Sequence, residues 1–344
     1  MWQLATGLFW TSVGLVIFQF LPDSLPKKFG RLLYWVGVPL QVLALAHSSD
    51  FANAPWLPPL IVVVVLVLGL LTSILCLRGL KQARSTCLEA QRSQAILAAD
   101  VAFLITPQTS TARFNSLLIG IFSSAWPKYR PSRGSFILSS MLGNTIFIGL
   151  AIIPSLVNPS YLGWIILYGV AHYLLGSYGV GVFLASYFGQ NRQNNHWSIQ
   201  CRDVLTVPAL WAFAIGLMSQ PIHYPDIMNW GLQLARLTGV PAVFVLLGMQ
   251  LGKFRGVQGL QTALVPASIK MLVLPLVAGL GLTLFGLHGD ARLTLVLMAG
   301  MPTNSANLIL AEEYNLDRQL AAGSILLSTL GLPLLLPLWV NLFR

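Results

Sequence analysis

Ten apolar segments follow one another along this chain, each a candidate for a helix that crosses a lipid bilayer. An α-helix needs about 20 apolar residues to span the hydrocarbon core. Only 9% of the 344 residues are charged, whereas soluble domains have about 25%. The pattern predicts an all-α integral membrane protein with ten transmembrane helices. The segments are residues 4–21, 32–47, 57–77, 135–157, 161–187, 204–220, 230–252, 263–287, 292–312 and 320–343.

The distribution of lysine and arginine predicts how these helices are oriented. If the N-terminus faces outside, the cytoplasmic loops are 22–31, 78–134, 188–203, 253–262 and 313–319. These loops hold 16 of the 20 basic residues, and basic residues collect in cytoplasmic loops. We therefore expect a multi-pass protein of the plasma (inner) membrane with both termini outside. The same bias accounts for the net charge of +10. We therefore do not expect nucleic acid as a partner.

The long loop 78–134 allows two interpretations. Residues 94–106 are apolar but too few for a span, and they include Asp100. Residues 114–126 place their apolar side chains on one helical face, which is typical of a helix lying in the membrane interface. The alternative is a hidden pair of additional spans, since one extra span alone would spoil the charge pattern.

Two similar stretches indicate an internal repeat. "WVGVPLQVLAL" (35–45) lies in the second span and "LTGVPAVFVLL" (237–247) in the seventh. Each is the second member of a group of five spans, and because five is odd, the two groups cross the membrane in opposite directions. The sequence thus predicts two inverted five-helix repeats. Their bounds are 1–187 (with a cytoplasmic insertion at 82–128) and 204–344, joined by a cytoplasmic linker at 188–203.

The fourth member of each group is polar in its middle. Span 9 contains "AGMPTNSANLIL", in which Pro302 cannot donate a backbone hydrogen bond. Thr303, Asn304 and Ser305 are all good N-cap residues. The segment therefore predicts two half-helices that meet near the middle of the membrane. Irregular backbone at that depth occurs only where it is buried in protein or lines a cavity.

Span 4 contains "SSMLGNTIFIGL", where Gly143 supplies flexibility and Asn144 and Thr145 supply caps. Half-helix N-termini carry partial positive charge and free N–H groups, so two such ends predict a site for a small anion. Inverted repeats with broken helices at matching places are typical of secondary transporters. The predicted substrate-binding residues are Gly143, Asn144, Thr145, Pro302, Thr303, Asn304 and Asn307, together with Pro39, Gln41 and Pro241.

Few ionisable residues lie within the predicted spans. We expect Lys270 to extend its ammonium to the cytoplasmic interface and His172 to bridge helices rather than relay protons. Arg236 is either an anion attractor at the outer entrance or an interface anchor. No carboxylate lies at mid-depth, which argues against a sodium or proton site built from acids, although backbone carbonyls could still hold sodium.

The sequence resembles the auxin efflux carrier family, over almost the whole chain except about 82–128. "RGSFILSSMLGNTIFIGL" (133–150) is similar to the family's Gly-Asn-Thr-Gly-Phe-Leu-Gly-Leu-Pro signature. "IKMLVLPL" (269–276) resembles its eighth span, and "MPTNSANLILAEEYNLDRQLAAGSILLSTLGLPLLLPLW" (301–339) resembles its last two spans. Two positions depart from the signature: its second glycine is Ile146 here, and its closing proline is Ala151, with Pro154 three residues later.

The resemblance implies a ten-helix fold in which spans 1, 2, 6 and 7 form a scaffold and dimer side. Spans 3–5 and 8–10 would form a moving transport side, with broken spans 4 and 9 crossing. It also implies that Asn144 contacts a substrate carboxylate and that Pro302 is the crossover proline of span 9. The implied activity is export of a small organic anion by alternating access, with no cofactor and no metal.

Three other functions compete with this expectation. The first is a sodium-coupled organic-anion symporter of the bile-acid type. The second is a non-transporting membrane sensor that signals through loop 78–134. The third is a membrane enzyme. The sequence argues against it, because it contains no His/Glu pair at metal-binding spacing and no Gly-x-Ser-x-Gly motif. We therefore expect a transporter and not an enzyme, with the lipid bilayer, the anion and a second copy of the chain as its partners.

Overall fold

The computed structural model describes residues 2–22, 24–48, 55–100, 127, 129–189, 208–252 and 260–344, and most of them are helical. No β-strand occurs in these ranges. Within them, five helices are long and apolar enough to cross a membrane, and these are Lys28–Ser48, Leu57–Gln82, Pro159–Phe188, Leu260–Leu284 and Arg318–Phe343. The prediction of an all-helical membrane protein is confirmed at this level.

Among the described residues of the first half of the chain there are eight α-helices and two 3-10 segments. The helices are α1 (Trp2–Gln19), α2 (Leu25–Leu32), α3 (Val38–Ser48), α4 (Leu57–Asp100), α5 (Arg130–Met141), α6 (Leu150–Ile152), α7 (Leu162–Ala171) and α8 (Val182–Phe188). The 3-10 segments are Ile153–Ser155 and Pro159–Tyr161.

The described residues of the second half form seven α-helices. They are α9 (Pro208–Met218), α10 (Asp226–Gly252), α11 (Leu260–Ser268), α12 (Leu274–Leu284), α13 (Gly289–Ala299), α14 (Ala306–Glu313) and α15 (Arg318–Phe343). Within the described ranges, four stretches are π-helical. They are Leu33–Gly37, Thr145–Gly149, His172–Gly181 and Ile269–Val273. Such wide turns often occur at functional sites.

The helices pack in two groups. In the first group, α1 lies along α10, and α3 packs against α9 and α10. The contact between α1 and α10 depends on glycine, because a Cβ added at Gly14 would strike the backbone of Val245, and one at Gly248 would strike the backbone of Thr11. Small residues at such crossings let helix backbones approach closely within a membrane.

The second group holds most of the buried core and comprises α4, α5, α7, α8 and α11–α15. Phe136, Ile165 and Leu295 are fully buried at its centre. Along α4, by contrast, Val63, Val67 and other apolar side chains are exposed, as expected for a helix face turned towards lipid.

Two predictions for the loop 78–134 meet the limits of the described residues. Helix α4 continues as a single helix to Asp100, so the first part of the predicted insertion 82–128 extends this helix. The predicted interfacial helix at 114–126 lies outside the described residues. So does the predicted linker beyond residue 189.

Candidate functional site

The two polar interruptions lie against each other and are joined by backbone hydrogen bonds. Helix α5 ends at Met141 and α13 at Ala299, and the chain is non-helical after both. Gly143 and Thr303 form an isolated antiparallel β-bridge. The Asn144 N–H donates to the Pro302 carbonyl at 2.7 Å, and the Asn304 N–H donates to the Leu142 carbonyl at 3.0 Å. We call residues 142–145 and 300–305 together the crossover.

Each segment of the crossover contains an asparagine whose side chain accepts a hydrogen bond from the start of the helical segment that follows. The Asn144 Oδ1 accepts a hydrogen bond from the Phe147 N–H at 3.3 Å. The Asn304 Oδ1 accepts one from the Ala306 N–H at 3.1 Å. The predicted half-helices with polar caps are therefore present, although Ser305, at the N-cap position of α14, makes no side-chain cap.

The interruption after α5 forms without a proline. Pro154, the nearest proline downstream, lies in the 3-10 segment Ile153–Ser155 and not in the break. Leu142 is extended (φ −88°, ψ 118°), and the backbone groups released from the helix are bonded across the β-bridge. Buried backbone groups require hydrogen-bond partners. Here, bonds to residues 302 and 304 replace helical hydrogen bonds that are lost where α5 ends.

Two serine side chains and one backbone carbonyl, from three neighbouring helical segments, hold the Pro302 side of the crossover. The Thr303 N–H donates to Ser328 Oγ on α15 at 3.0 Å, and Thr303 Oγ1 donates to the Ser139 carbonyl on α5 at 3.0 Å. Asn304 Nδ2 donates to Ser177 Oγ at 3.2 Å. The serines were not singled out in the sequence, because serine is common in buried membrane helices and its partners here are distant in the chain.

Asn307, the second residue of α14, is also part of this site. Its Nδ2 donates to the Leu138 carbonyl at 3.1 Å. Its Oδ1 is buried without a hydrogen-bond partner among the described residues, as are Ser139 Oγ and Thr329 Oγ1. Buried polar atoms are almost always paired, so these three atoms could bind water or a hydroxyl group of a ligand.

Lys270 reaches the crossover, which corrects the prediction that its ammonium lies at the cytoplasmic interface. The residue is 0% exposed, and its Nζ donates to the Ala299 carbonyl at 2.5 Å. A Cβ added to Gly143 would lie 2.9 Å from this nitrogen. The prediction was wrong because it used only the depth of Lys270 in its span, whereas the side chain points inward from the π-helical stretch Ile269–Val273.

His172 approaches the same glycine from another helix. Its Nε2 accepts the Gly143 N–H at 3.5 Å, a long contact that agrees with the predicted helix-bridging role. The imidazole stacks on the buried Tyr168 ring with centroids 6.1 Å apart. Three of the four π-helical stretches thus lie at the crossover. One begins at Thr145, within the crossover, and the other two carry His172 and Lys270.

The remaining candidate residues lie on the first helix group. Pro39 lines an apolar groove of about 410 Å³ between α3 and α9, together with Trp35 and Trp211. Gln41 is buried, and its carboxamide lies directly over Gly239. Helix α10 continues through Pro241. Of the two helices that carry these residues, α10 adjoins the crossover, since it packs beside Thr145–Gly149. The Arg236 side chain is outside the described part.

Comparison with known proteins identifies the family. The sequence matches the family described as "Membrane transport protein" over residues 90–340, which includes both halves of the crossover. The chain belongs to this family. It is also similar to an uncharacterized transporter of Methanocaldococcus jannaschii, with 26% identity over 211 residues that cover 60% of this chain and 67% of the relative.

Membership of the Membrane transport protein family confirms the resemblance found in the sequence. It shows that the chain is a multi-pass membrane transporter, in agreement with its long apolar helices. The family match begins within α4 and ends within α15. The crossover, Lys270 and His172 all lie inside it.

Proposed function

We propose that this transporter exports a small organic anion by alternating access and binds it at the crossover. The observation that carries this proposal is the pairing of two interrupted helices through Gly143 and Thr303. The helical segments that begin after Asn144 and at Ala306 direct their N-terminal ends to one small region. These ends carry partial positive charge, which favours an anionic ligand.

The side chains at the crossover are suited to a carboxylate that binds and leaves again. Asn144 uses its Oδ1 for capping, and its Nδ2 has no protein acceptor in the described part of the chain, so it can donate to a ligand. The other lining groups are neutral hydroxyls and amides, which bind an anion without a fixed salt bridge. The buried Lys270 makes the local charge positive, and no Asp or Glu side chain is buried among the described residues.

The crossover also supports the inverted repeat. Gly143 and Thr303 are each followed by an asparagine that caps the next helix, and the bridge relates the two antiparallel strands by an approximate two-fold axis. We propose on this basis the ten-span arrangement, with repeats at 1–187 and 204–344 and a linker at 188–203. We further propose that both termini lie outside the plasma (inner) membrane, because this orientation puts the basic loops in the cytoplasm.

Movement would occur between the two helix groups. The first group contacts the site mainly through α10, whereas the second group contains both interruptions and the residues that hold them. We propose that the second group slides or rocks against the first, exposing the crossover to each side in turn. The first group would also supply the surface for a homodimer, since its outer face carries exposed Trp35, Trp211 and Ile215.

Counterflow in proteoliposomes tests this function. Vesicles loaded with unlabelled malonate, malate or indole-3-acetate would be diluted into the same labelled acid, with potassium as the sole cation. We expect accumulation of at least one acid by the wild type and none by protein-free vesicles. Accumulation that requires sodium would favour the bile-acid type of symporter, and no accumulation of any acid would contradict the proposal.

A further inference from the structure

An apolar groove runs along the first helix group between α3 and α9, and we call it the α3–α9 groove. Its volume of about 410 Å³ is within the range of about 300–1,000 Å³ that small-molecule sites have. Trp35 and Trp211 line it and are both more than half exposed. All eight lining residues are apolar or aromatic, and they include Pro39, Leu40, Pro208 and Ile215. The occupant of such a groove has to present hydrocarbon.

The groove extends from the edge of the membrane core to about its middle. Gly216 packs against Leu43 and Ala46, so α3 and α9 run in the same direction and the groove begins at the same end of both. The second predicted span begins at residue 32, which puts Trp35 about 5 Å and Leu43 about 17 Å from that end. Since the hydrocarbon core is about 30 Å thick, the groove fits an acyl chain of one leaflet better than a helix that crosses both.

Two exposed basic side chains continue the line of the groove beyond Trp35. Lys28 and Arg31 lie on α2, three residues apart, and Arg31 precedes Trp35 by four, so the three share one helix face. The opposite face of α2 packs on α10. The sequence has no Asp or Glu within 24–48 or 208–218, so the helices that form the groove offer these cations no acidic partner. An occupant with a hydrocarbon chain and an anionic head complements both features.

We propose that the α3–α9 groove holds one acyl chain of an anionic phospholipid, whose phosphate is bound by Arg31 and Lys28. A phosphate can accept two parallel hydrogen bonds from one guanidinium. Anionic lipids attract basic residues at the cytoplasmic surface, and tryptophan is enriched at the same level of the membrane. Only the choice of the cytoplasmic leaflet rests on the proposed orientation. The bound lipid would then form part of the surface that the first helix group offers to a second copy in the homodimer.

Fluorescence quenching by brominated lipids tests the proposal without any substrate. The purified protein in an uncharged detergent would receive phosphatidylglycerol with brominated acyl chains, or phosphatidylcholine with the same chains, at equal low mole fraction. Bromine quenches tryptophan fluorescence only at short range, so Trp35 and Trp211 report a chain in the groove. We expect brominated phosphatidylglycerol to quench the wild type more strongly than brominated phosphatidylcholine. Most of this excess should be lost in Trp35→Phe/Trp211→Phe.

Matched variants separate the groove and its charge from the rest of the surface. Trp56→Phe/Trp230→Phe removes two similarly exposed tryptophans outside the groove, and it should keep the excess. Arg31→Gln retains every tryptophan and should lose most of the excess. Arg318→Gln removes an exposed arginine at the start of α15, in the second helix group, and should quench like the wild type.

Three results would overturn the proposal. Equal quenching of the wild type by the two lipids would show that the headgroup is not selected. An excess that survives in Trp35→Phe/Trp211→Phe would place the lipid elsewhere, as expected if a second copy covers the groove. An excess that survives in Arg31→Gln would show that this arginine does not bind the phosphate. Since no transported acid is added, all three are separate from failure of the anion-transport proposal.

Discussion

Gly143 and Thr303 pair across the crossover as the two residues of a single antiparallel β-bridge. They are 160 positions apart in the printed sequence, and each interrupts a helix that would otherwise continue. The bridge bonds the backbone groups that both helices release, and it brings Asn144 and Asn304 to the same region. Consequently, the stability of the bridge and the chemistry of the site can be tested separately.

Asn144→Asp should remove anion transport while leaving the fold intact. Aspartate is as good an N-cap as asparagine, so the Phe147 N–H keeps its acceptor. The variant loses the amide donor and adds a negative charge where an anion would bind. We expect counterflow to fall at least about tenfold, which corresponds to about 1.4 kcal/mol, with little change in Tm.

The control for this change is Asn229→Asp, which introduces the same charge at an exposed position in the first turns of α10. It should transport like the wild type. If Asn144→Asp also keeps the wild-type rate, Asn144 does not contact the substrate.

Ser328→Ala should destabilise the crossover. The Thr303 N–H donates to Ser328 Oγ, and the substitution would leave this buried donor without an acceptor. An unsatisfied buried group costs about 1–3 kcal/mol, to be measured as reduced thermal or denaturant stability in detergent.

Ser324→Ala is the matched control, because Ser324 is equally buried one turn earlier and donates only to the Leu320 carbonyl of its own helix. We expect it to lose less stability than Ser328→Ala. Equal losses would show that the bond to Thr303 contributes nothing specific.

Gly248→Ala should loosen the first helix group. The new Cβ would collide with the backbone of Thr11 on α1, so α1 and α10 would have to separate. Overpacking of this kind costs about 1–3 kcal/mol. Gly231→Ala lies on the same helix with nothing within 4 Å of its Cβ, and it should be neutral or stabilise by about 0.5–1 kcal/mol. A Gly248→Ala protein as stable as Gly231→Ala would contradict the packing of α1 on α10.

The predicted orientation can be measured by cysteine labelling. In a background without Cys76, Cys87 and Cys201, His223→Cys should react with a membrane-impermeant maleimide in intact cells. Lys28→Cys should react only after the membrane is permeabilised. Both residues are exposed, so access to the reagent depends on the side of the membrane. The reverse labelling pattern would place the termini inside.

The sequence predicted the features that depend on local chemistry. Apolar length located the helices, and Gly143, Asn144, Pro302 and Asn304 marked the interruptions and caps, because glycine, proline and asparagine act on the backbone within a few residues. Local residue patterns do not predict that two interruptions 160 positions apart form hydrogen bonds with each other. The inverted repeat was the only sequence feature that indicated their proximity.

Features that depend on packing between distant helices were missed. The sequence around Lys270 is compatible with a side chain that extends to the interface and with one that turns inward. The direction is evident only from the contact with the Ala299 carbonyl, which lies far away in the chain. Helix α10 also remains continuous through Pro241. Membrane helices tolerate proline where neighbouring groups compensate for the lost hydrogen bond.

The most direct test of the account is ligand-induced thermal stabilisation of the purified protein by small carboxylates, in sodium and in potassium salts. Binding to the folded state raises Tm by linkage. We predict a rise with at least one acid, of equal size in both salts and lost in Asn144→Asp. A protein whose Tm no carboxylate changes, or one in which Asn144→Asp responds like the wild type, would contradict an anion site at the crossover.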